Sequence, residues 1–159
     1  METALSALIY RQERFVDLAP ELPRIFYQHW QEWDEEQEAF PLRPDWQQYL
    51  RLETAGLLQI VVARAGDTLA GYFFGLISPS LHHQNAQFGH CDMFYLAKPY
   101  RKGFATAIRL RKLFLEGEKV MRDNGAQKLY IHTKARADVS AFLERLGYRH
   151  DSEVMCKLL

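Results

Sequence analysis

Between Asp92 and Thr106 the chain reads DMFYLAKPYRKGFAT: an acid, an apolar run, a proline, two basic residues in succession and a glycine. A long amphipathic pattern follows at once. The order strand, basic turn, helix is an anion-binding device. The first turn of a helix leaves its N–H groups without intrahelical partners and carries about half a positive charge. Phosphate oxygens are natural acceptors there, and Arg101 and Lys102 add full charges at the same spot. Gly103 lets the backbone approach a ligand where a Cβ would obstruct it. Main-chain N–H groups from Lys102 through Gly103, Phe104 and Ala105 to Thr106 can converge on a phosphate. Thr106 adds a hydroxyl, and Phe104 must then point away.

Residues able to move protons lie on either side of that device. Asp92 sits on the strand leading into the turn. Strict alternation puts it on one face with Phe88, His90, Phe94 and Leu96. A carboxylate among such neighbours is costly unless it is paired or faces a cleft. His90 shares that face and titrates near neutral pH. His132 closes the next strand and suits the part of acid, base or orienter, with Thr133 beside it. His82 and His83 belong to a loop (SPSLHHQ) with no further ligands in sight, so no metal is expected.

The elements that position these groups follow from periodicity. Strand character at Leu8–Tyr10 gives way to a helix from Asp17, with Leu18, Leu22, Ile25, His29 and Trp33 at helical spacing and Phe26 and Trp30 widening the stripe. Pro20 fits its first turn, and Pro23 predicts an irregular start. Asp34 to Glu38 and Phe40 to Pro44 form a loop, and Pro44 to Ala55 a short helix ended by Gly56. Leu57–Arg64 and Thr68–Ser78 are strands joined at Ala65-Gly66-Asp67 as an antiparallel hairpin. Phe88–Leu96 is a strand, the helix after Gly103 stops near Asn124-Gly125, and Lys128–Thr133 is a strand. Val139–Leu146 is a short helix, and Tyr148–Leu158 supplies a final strand or hairpin. The order β-α-α-β-β-β-α-β-α-β predicts one domain with a mixed α/β sheet.

Size and charge bound the rest. The 159 residues are 48% hydrophobic, enough for a proper core, and 20 basic residues balance 20 acidic ones. Neither nucleic acid nor a membrane surface is called for. The basic residues of the long helix and its approach (Arg101, Lys102, Arg109, Arg111, Lys112, Lys119 and Arg122) do not form one stripe. Cys91 and Cys156 fall in strand-like runs and read as buried free thiols. No charged-then-apolar leader stands at Met1 and no apolar run spans a bilayer, so a cytoplasmic setting is expected.

The strand, basic glycine turn and helix, followed by a strand and then FLERLGY (Phe142–Tyr148), resemble the GNAT family of acetyl-CoA-dependent N-acyltransferases. The order of elements agrees over nearly the whole chain. The family turn is Arg/Gln-x-x-Gly-x-Gly/Ala. Counted from Arg101, its small-residue slots hold Phe104 and Thr106; slid back by one, they hold Gly103 and Ala105 behind Tyr100. The resemblance implies a mostly antiparallel sheet flanked by helices, with the strand Phe94-Tyr95-Leu96 splayed from Tyr130-Ile131-His132. It implies acetyl-CoA as acyl donor, its pyrophosphate on the turn and its pantetheine arm pairing with main-chain groups of Phe94 and Leu96 like an added strand. Thr133 then meets the arm or a phosphate. Many relatives carry a tyrosine that protonates the departing thiolate; here Leu143 stands in its place, so another residue or water must do so.

The implied reaction is attack of a neutral primary amine on the thioester within a ternary complex, with Asp92, His90 or His132 taking its proton. The acceptor is a small molecule or peptide. Asp34, Glu35, Glu36 and Glu38, with Trp30, Trp33, Phe40 and Trp46, would suit a cationic one. The other reading is a GNAT-fold domain that binds CoA or a protein partner without catalysis. A homodimer is compatible with either.

Overall fold

The computed structural model describes residues 7–134, 137 and 139–159, and leaves the side chain of Asp92 outside the description. Five strands form one sheet in the order β1-β2-β3-β4-β5. These are β1 (Ile9–Gln12), β2 (Leu58–Ala65), β3 (Thr68–Pro79), β4 (Gln87–Leu96) and β5 (Lys128–Ile131). The first four pair antiparallel, and β5 runs parallel to β4. A parallel neighbour needs a crossover, and α4 (Ala105–Asp123) provides it.

Both faces of the sheet are covered, which explains why β2 and β3 are apolar at successive positions and not at alternate ones. On one face Ile60, Val62, Tyr72 and Phe74 meet Phe15 and Leu18 of α1 (Phe15–Leu18), Ile25 and Phe26 of α2 (Leu22–Trp33), and Trp46 and Tyr49 of α3 (Trp46–Thr54). On the other, Val61, Ala63 and Phe73 meet Leu113, Phe114 and Met121 of α4 and Leu143 of α5 (Ser140–Arg145). Gly117 sets how closely α4 approaches: a Cβ there would lie 2.9 Å from ring carbons of Phe73.

The helix expected from Asp17 onward is two helices. Pro20 falls in the break and Pro23 in the first turn of α2, where a missing N–H costs nothing. The final strand expected from Tyr148 is absent. Tyr148 still caps α5, its N–H donating to Leu143 O at 3.0 Å and its hydroxyl to Glu118 Oε1 at 2.9 Å. Residues 149–159 then run on exposed, without helix or strand. A strand exists only through its ladder, and among the described residues none beyond Tyr148 makes a main-chain bond to β5. Cys156 is accordingly exposed, contrary to the reading of two buried thiols, while Cys91 is buried. Among the described residues no helix is long and apolar enough to cross a membrane, and no cluster of three or more His, Cys, Asp or Glu could hold a metal ion.

Candidate active site

Where β4 leaves β5, the sheet opens. The two strands pair from Phe88↔Lys128 to Cys91↔Ile131, and the N–H of His132 adds one more bond to Cys91 O at 2.8 Å. Beyond that β4 continues to Leu96, and among the described residues its β5 side is unpaired. The register with β3 shifts at the same place: Leu76 faces His90 and Phe74 faces Met93, so Gly75 spans two residues, Cys91 and Asp92. An extra residue of this kind bends the strand and reverses the alternation beyond it. His90 therefore does not share a face with Phe94 and Leu96. Phe94 and Leu96 pack with α4, whereas Met93 and Tyr95 pack toward α2.

The opening is a cleft of about 240 Å3 between Phe94, Tyr95 and Leu96 on one wall and His132, Thr133 and Lys134 on the other, closed below by His29, Trp33 and Arg101. A second cleft of about 320 Å3 lies between α2 and the loop before α3, walled by Trp30, Phe40, Tyr49 and Met93, with Asp34, Arg43 and Lys134 as charged residues. The two share His29, Trp33 and Lys134. Two ligands can thus meet there.

At the floor a polar cluster is held in place. Glu32 of α2 accepts from the hydroxyl of Tyr95 (2.5 Å) and from Nη2 of Arg101, with Lys98 Nζ at 3.9 Å. The Arg101 guanidinium also lies 5.4 Å from the Tyr95 ring centre, and its Nε is buried without a partner among the described residues. Burial alone would raise the Glu32 carboxyl, but hydrogen bonds from Tyr95 and Arg101 and the charges of Arg101 and Lys98 outweigh it and hold it below the usual range. Burial, and then the bond to Glu32, pushes the Tyr95 phenol up. His29 stacks flat on Tyr95 (4.8 Å, 13°), and its Nδ1 lies 2.5 Å from Tyr72 Oη. Burial lowers the His29 imidazole to about 4, so the ring is neutral at physiological pH.

The anion-binding turn has the expected backbone. A 3₁₀ turn over Lys98–Tyr100, fixed by Arg109 Nη1 donating to Tyr100 O at 2.8 Å, leads to Gly103 at φ +57°. Among the described residues the N–H groups of Lys102, Gly103, Phe104 and Ala105 donate to no main-chain carbonyl, and that of Thr106 bonds Gly103 O at 3.2 Å. A Cβ on Gly103 would have nothing within 4 Å, and Phe104 projects into solvent (97% exposed). The turn therefore fits a phosphate held by main-chain donors. Arg101 stands apart from it, since its guanidinium points inward to Glu32 and leaves Lys102 as the exposed cation.

Of the residues picked for proton transfer, His132 lines the cleft. His90 stacks on Tyr130 (5.1 Å) with its ring 6.0 Å from that of His132, one ring removed from the cleft lining. The side chain of Asp92 lies outside the described residues. Leu143 is 7% exposed, in the core against Phe114. Asp34 is the acidic residue that lines the second cleft; Glu35, Glu36 and Glu38 do not line it, and Trp46 stacks on Phe15 and Phe26 in the core. His29, Glu32 and Tyr72 were not anticipated. A histidine and, three residues on, a glutamate continuing the apolar stripe of α2 were the available signal.

No protein-family model and no curated protein sequence matches the chain. Solved structures do. An aminoglycoside acetyltransferase from an uncultured soil metagenomic sample is 15% identical, with a TM-score of 0.72 over 96% of this chain and 99% of that one. The ribosomal-protein-alanine N-acetyltransferase of Brucella melitensis biovar Abortus 2308 is 17% identical (TM-score 0.66, 96% and 99% covered). The glucosamine-6-phosphate N-acetyltransferase of Arabidopsis thaliana is 12% identical (TM-score 0.65, 96% and 99%). With the opened sheet, the bulge in β4 and the glycine turn already in view, this likeness identifies the chain as having the fold of the GNAT acetyltransferases.

Proposed function

We propose that the protein is an N-acetyltransferase that moves an acetyl group from acetyl-CoA to a primary amine by direct attack in a ternary complex. The observation that carries this reading is the meeting of two clefts at His29, Trp33 and Lys134, one of them lined by Arg101 at the start of the glycine turn. The main-chain donors of Lys102, Gly103, Phe104 and Ala105 hold the pyrophosphate, and Thr106, whose N–H bonds Gly103 O, adds its hydroxyl. The unpaired edge of β4 at Phe94, Tyr95 and Leu96 takes the arm, and Thr133 faces it across the cleft. The thioester activates the acyl group. The chain supplies orientation, exclusion of water by the aromatic walls and an outlet for the amine proton. His132 is our choice for that outlet because it lines the donor cleft; His90, one ring away, and Asp92, on the bulge, are the other candidates.

The acceptor cleft combines Asp34 with Arg43 and Lys134. That mixture suits an amine bearing acceptor groups of its own better than a polycation. The test is direct. Acetyl-CoA should raise the melting temperature, and a panel of amines should release free thiol in its presence. Absence of both effects across the panel refutes the reading. The burial of Leu143 where a thiolate acid is usual favours the second reading, a domain that binds CoA without turnover. It predicts the thermal shift without thiol release, and turnover abolished by Asp92→Asn counts against it.

A further inference from the structure

The hydroxyl of Tyr72 is fully buried at the centre of the sheet, and among the described residues its hydrogen-bond partner is Nδ1 of His29. A buried phenol keeps its proton; burial pushes Tyr72 well above the ordinary range. That proton needs an acceptor, and among the described residues Nδ1 is the atom within reach, so Nδ1 carries no hydrogen. The ring is neutral at physiological pH, lowered to about 4 by burial despite the opposing charges of Glu32 and Asp34, with Lys134 and Arg101 pressing the same way as burial. A neutral imidazole with a bare Nδ1 has its hydrogen on Nε2. The stack on Tyr95 fixes the plane of the ring, and the residue lines both clefts. Among the described residues Nε2 has no partner.

We propose that His29 is a hydrogen-bond donor of the cleft, its Nε2–H directed at the carbonyl oxygen of the acyl thioester, and that Tyr72 is the positioning residue that fixes this tautomer. The proposal rests on the acyl-transfer reading above. Of the reacting groups, the amine must keep its lone pair free for attack and sulfur accepts poorly, which leaves the carbonyl oxygen. The amine lone pair forms the N–C bond while the C=O π pair moves onto oxygen, where Nε2–H meets the charge. Return of that pair breaks the C–S bond, sulfur leaves as thiolate with its electron pair, and the surplus amine proton passes to His132 or water. His29 neither gains nor loses a proton. A neutral imidazole in this part supplies a fixed dipole where charge develops.

Nitrogen-15 NMR of the histidine-labelled protein tests this without turnover. At neutral pH the wild type should show the proton on Nε2 of His29, and Tyr72→Phe should release that preference into both tautomers. S-acetonyl-CoA, which carries a carbonyl, should move the Nε2–H resonance, whereas S-ethyl-CoA, which has none, should not. In turnover, His29→Ala should lower kcat about 10²-fold with the KM for acetyl-CoA little changed, and Gln should recover part of the loss by offering an N–H. A proton on Nδ1, an imidazolium at neutral pH, or equal shifts from both analogues overturns the proposal. So does bound S-acetonyl-CoA, seen as a raised melting temperature, that leaves Nε2–H unmoved. If neither analogue nor acetyl-CoA raises the melting temperature, the acyl-transfer reading falls, and the carbonyl assignment with it.

Discussion

Replacing Glu32 by glutamine tests whether the polar floor of the cleft is an electrostatic unit. The side chains of Glu32 and Arg101 are only 13% and 24% exposed, so solvent screens the pair little. Glutamine keeps an oxygen for the Tyr95 hydroxyl but loses the charge facing Arg101, whose Nε already lacks a partner among the described residues. Breaking one side of a buried pair costs about 3–5 kcal/mol. Lys98 at 3.9 Å and the retained Tyr95 bond argue for a smaller figure, about 2–3 kcal/mol, since a hydrogen bond to a charged group contributes about 1.5–3 kcal/mol. With a urea m-value of about 2 kcal/mol/M, the midpoint should fall by about 1–1.5 M without a change in slope. Arg101→Gln should cost less, because its removal leaves Glu32 with Tyr95 and Lys98. The double variant should be more stable than the sum of the two losses predicts, by about 1–2 kcal/mol, as expected of residues in contact. Additive losses, or a loss below about 0.5 kcal/mol for Glu32→Gln, would refute the reasoning.

Other outcomes follow from the same structure. Gly117→Ala should gain about 1 kcal/mol in helix propensity but lose about 1–3 kcal/mol to overpacking against the buried Phe73 ring, so its urea midpoint should fall. Arg64 bonds both Glu13 (2.7 and 2.8 Å) and Glu21 (2.8 and 3.1 Å), and the hydrogen bond from Arg64 is the main reason the Glu13 carboxyl lies below its usual range. A carboxyl lowered by folding stabilises the native state above its unfolded pKa of 4.5, and that stability is lost as pH falls through the folded value. Arg64→Met should therefore flatten the acid limb of the stability curve below pH 4.5, and an unchanged limb would count against this assignment. Finally, neutralising Glu35, Glu36 and Glu38 together should leave the acceptor KM within about twofold, whereas Asp34→Asn, on the cleft wall, should raise it; the reverse ranking would place the acceptor elsewhere.

Local chemistry made much of this molecule legible from sequence. Alternating or continuous apolar runs located β2, β3, β4 and β5 to within a few residues, and Gly103 ahead of an amphipathic stretch marked the turn that opens α4. Such features are written in neighbouring residues, because main-chain donors at a helix start and a glycine at positive φ need no distant partner. Residues 149–159 have the pattern of a strand but form none, because among the described residues they make no main-chain bond to β5. Alternation also failed along β4, since one extra residue opposite Gly75 turns His90 away from the face of Phe94 and Leu96. Nothing within β4 announces that bulge. Only the tertiary structure turned Arg101 inward to Glu32, 69 positions away, and set His29 against Tyr72, 43 positions away. A buried charge or phenol settles its direction by whichever partner replaces water, and that partner is chosen by the packing of α2 across the sheet.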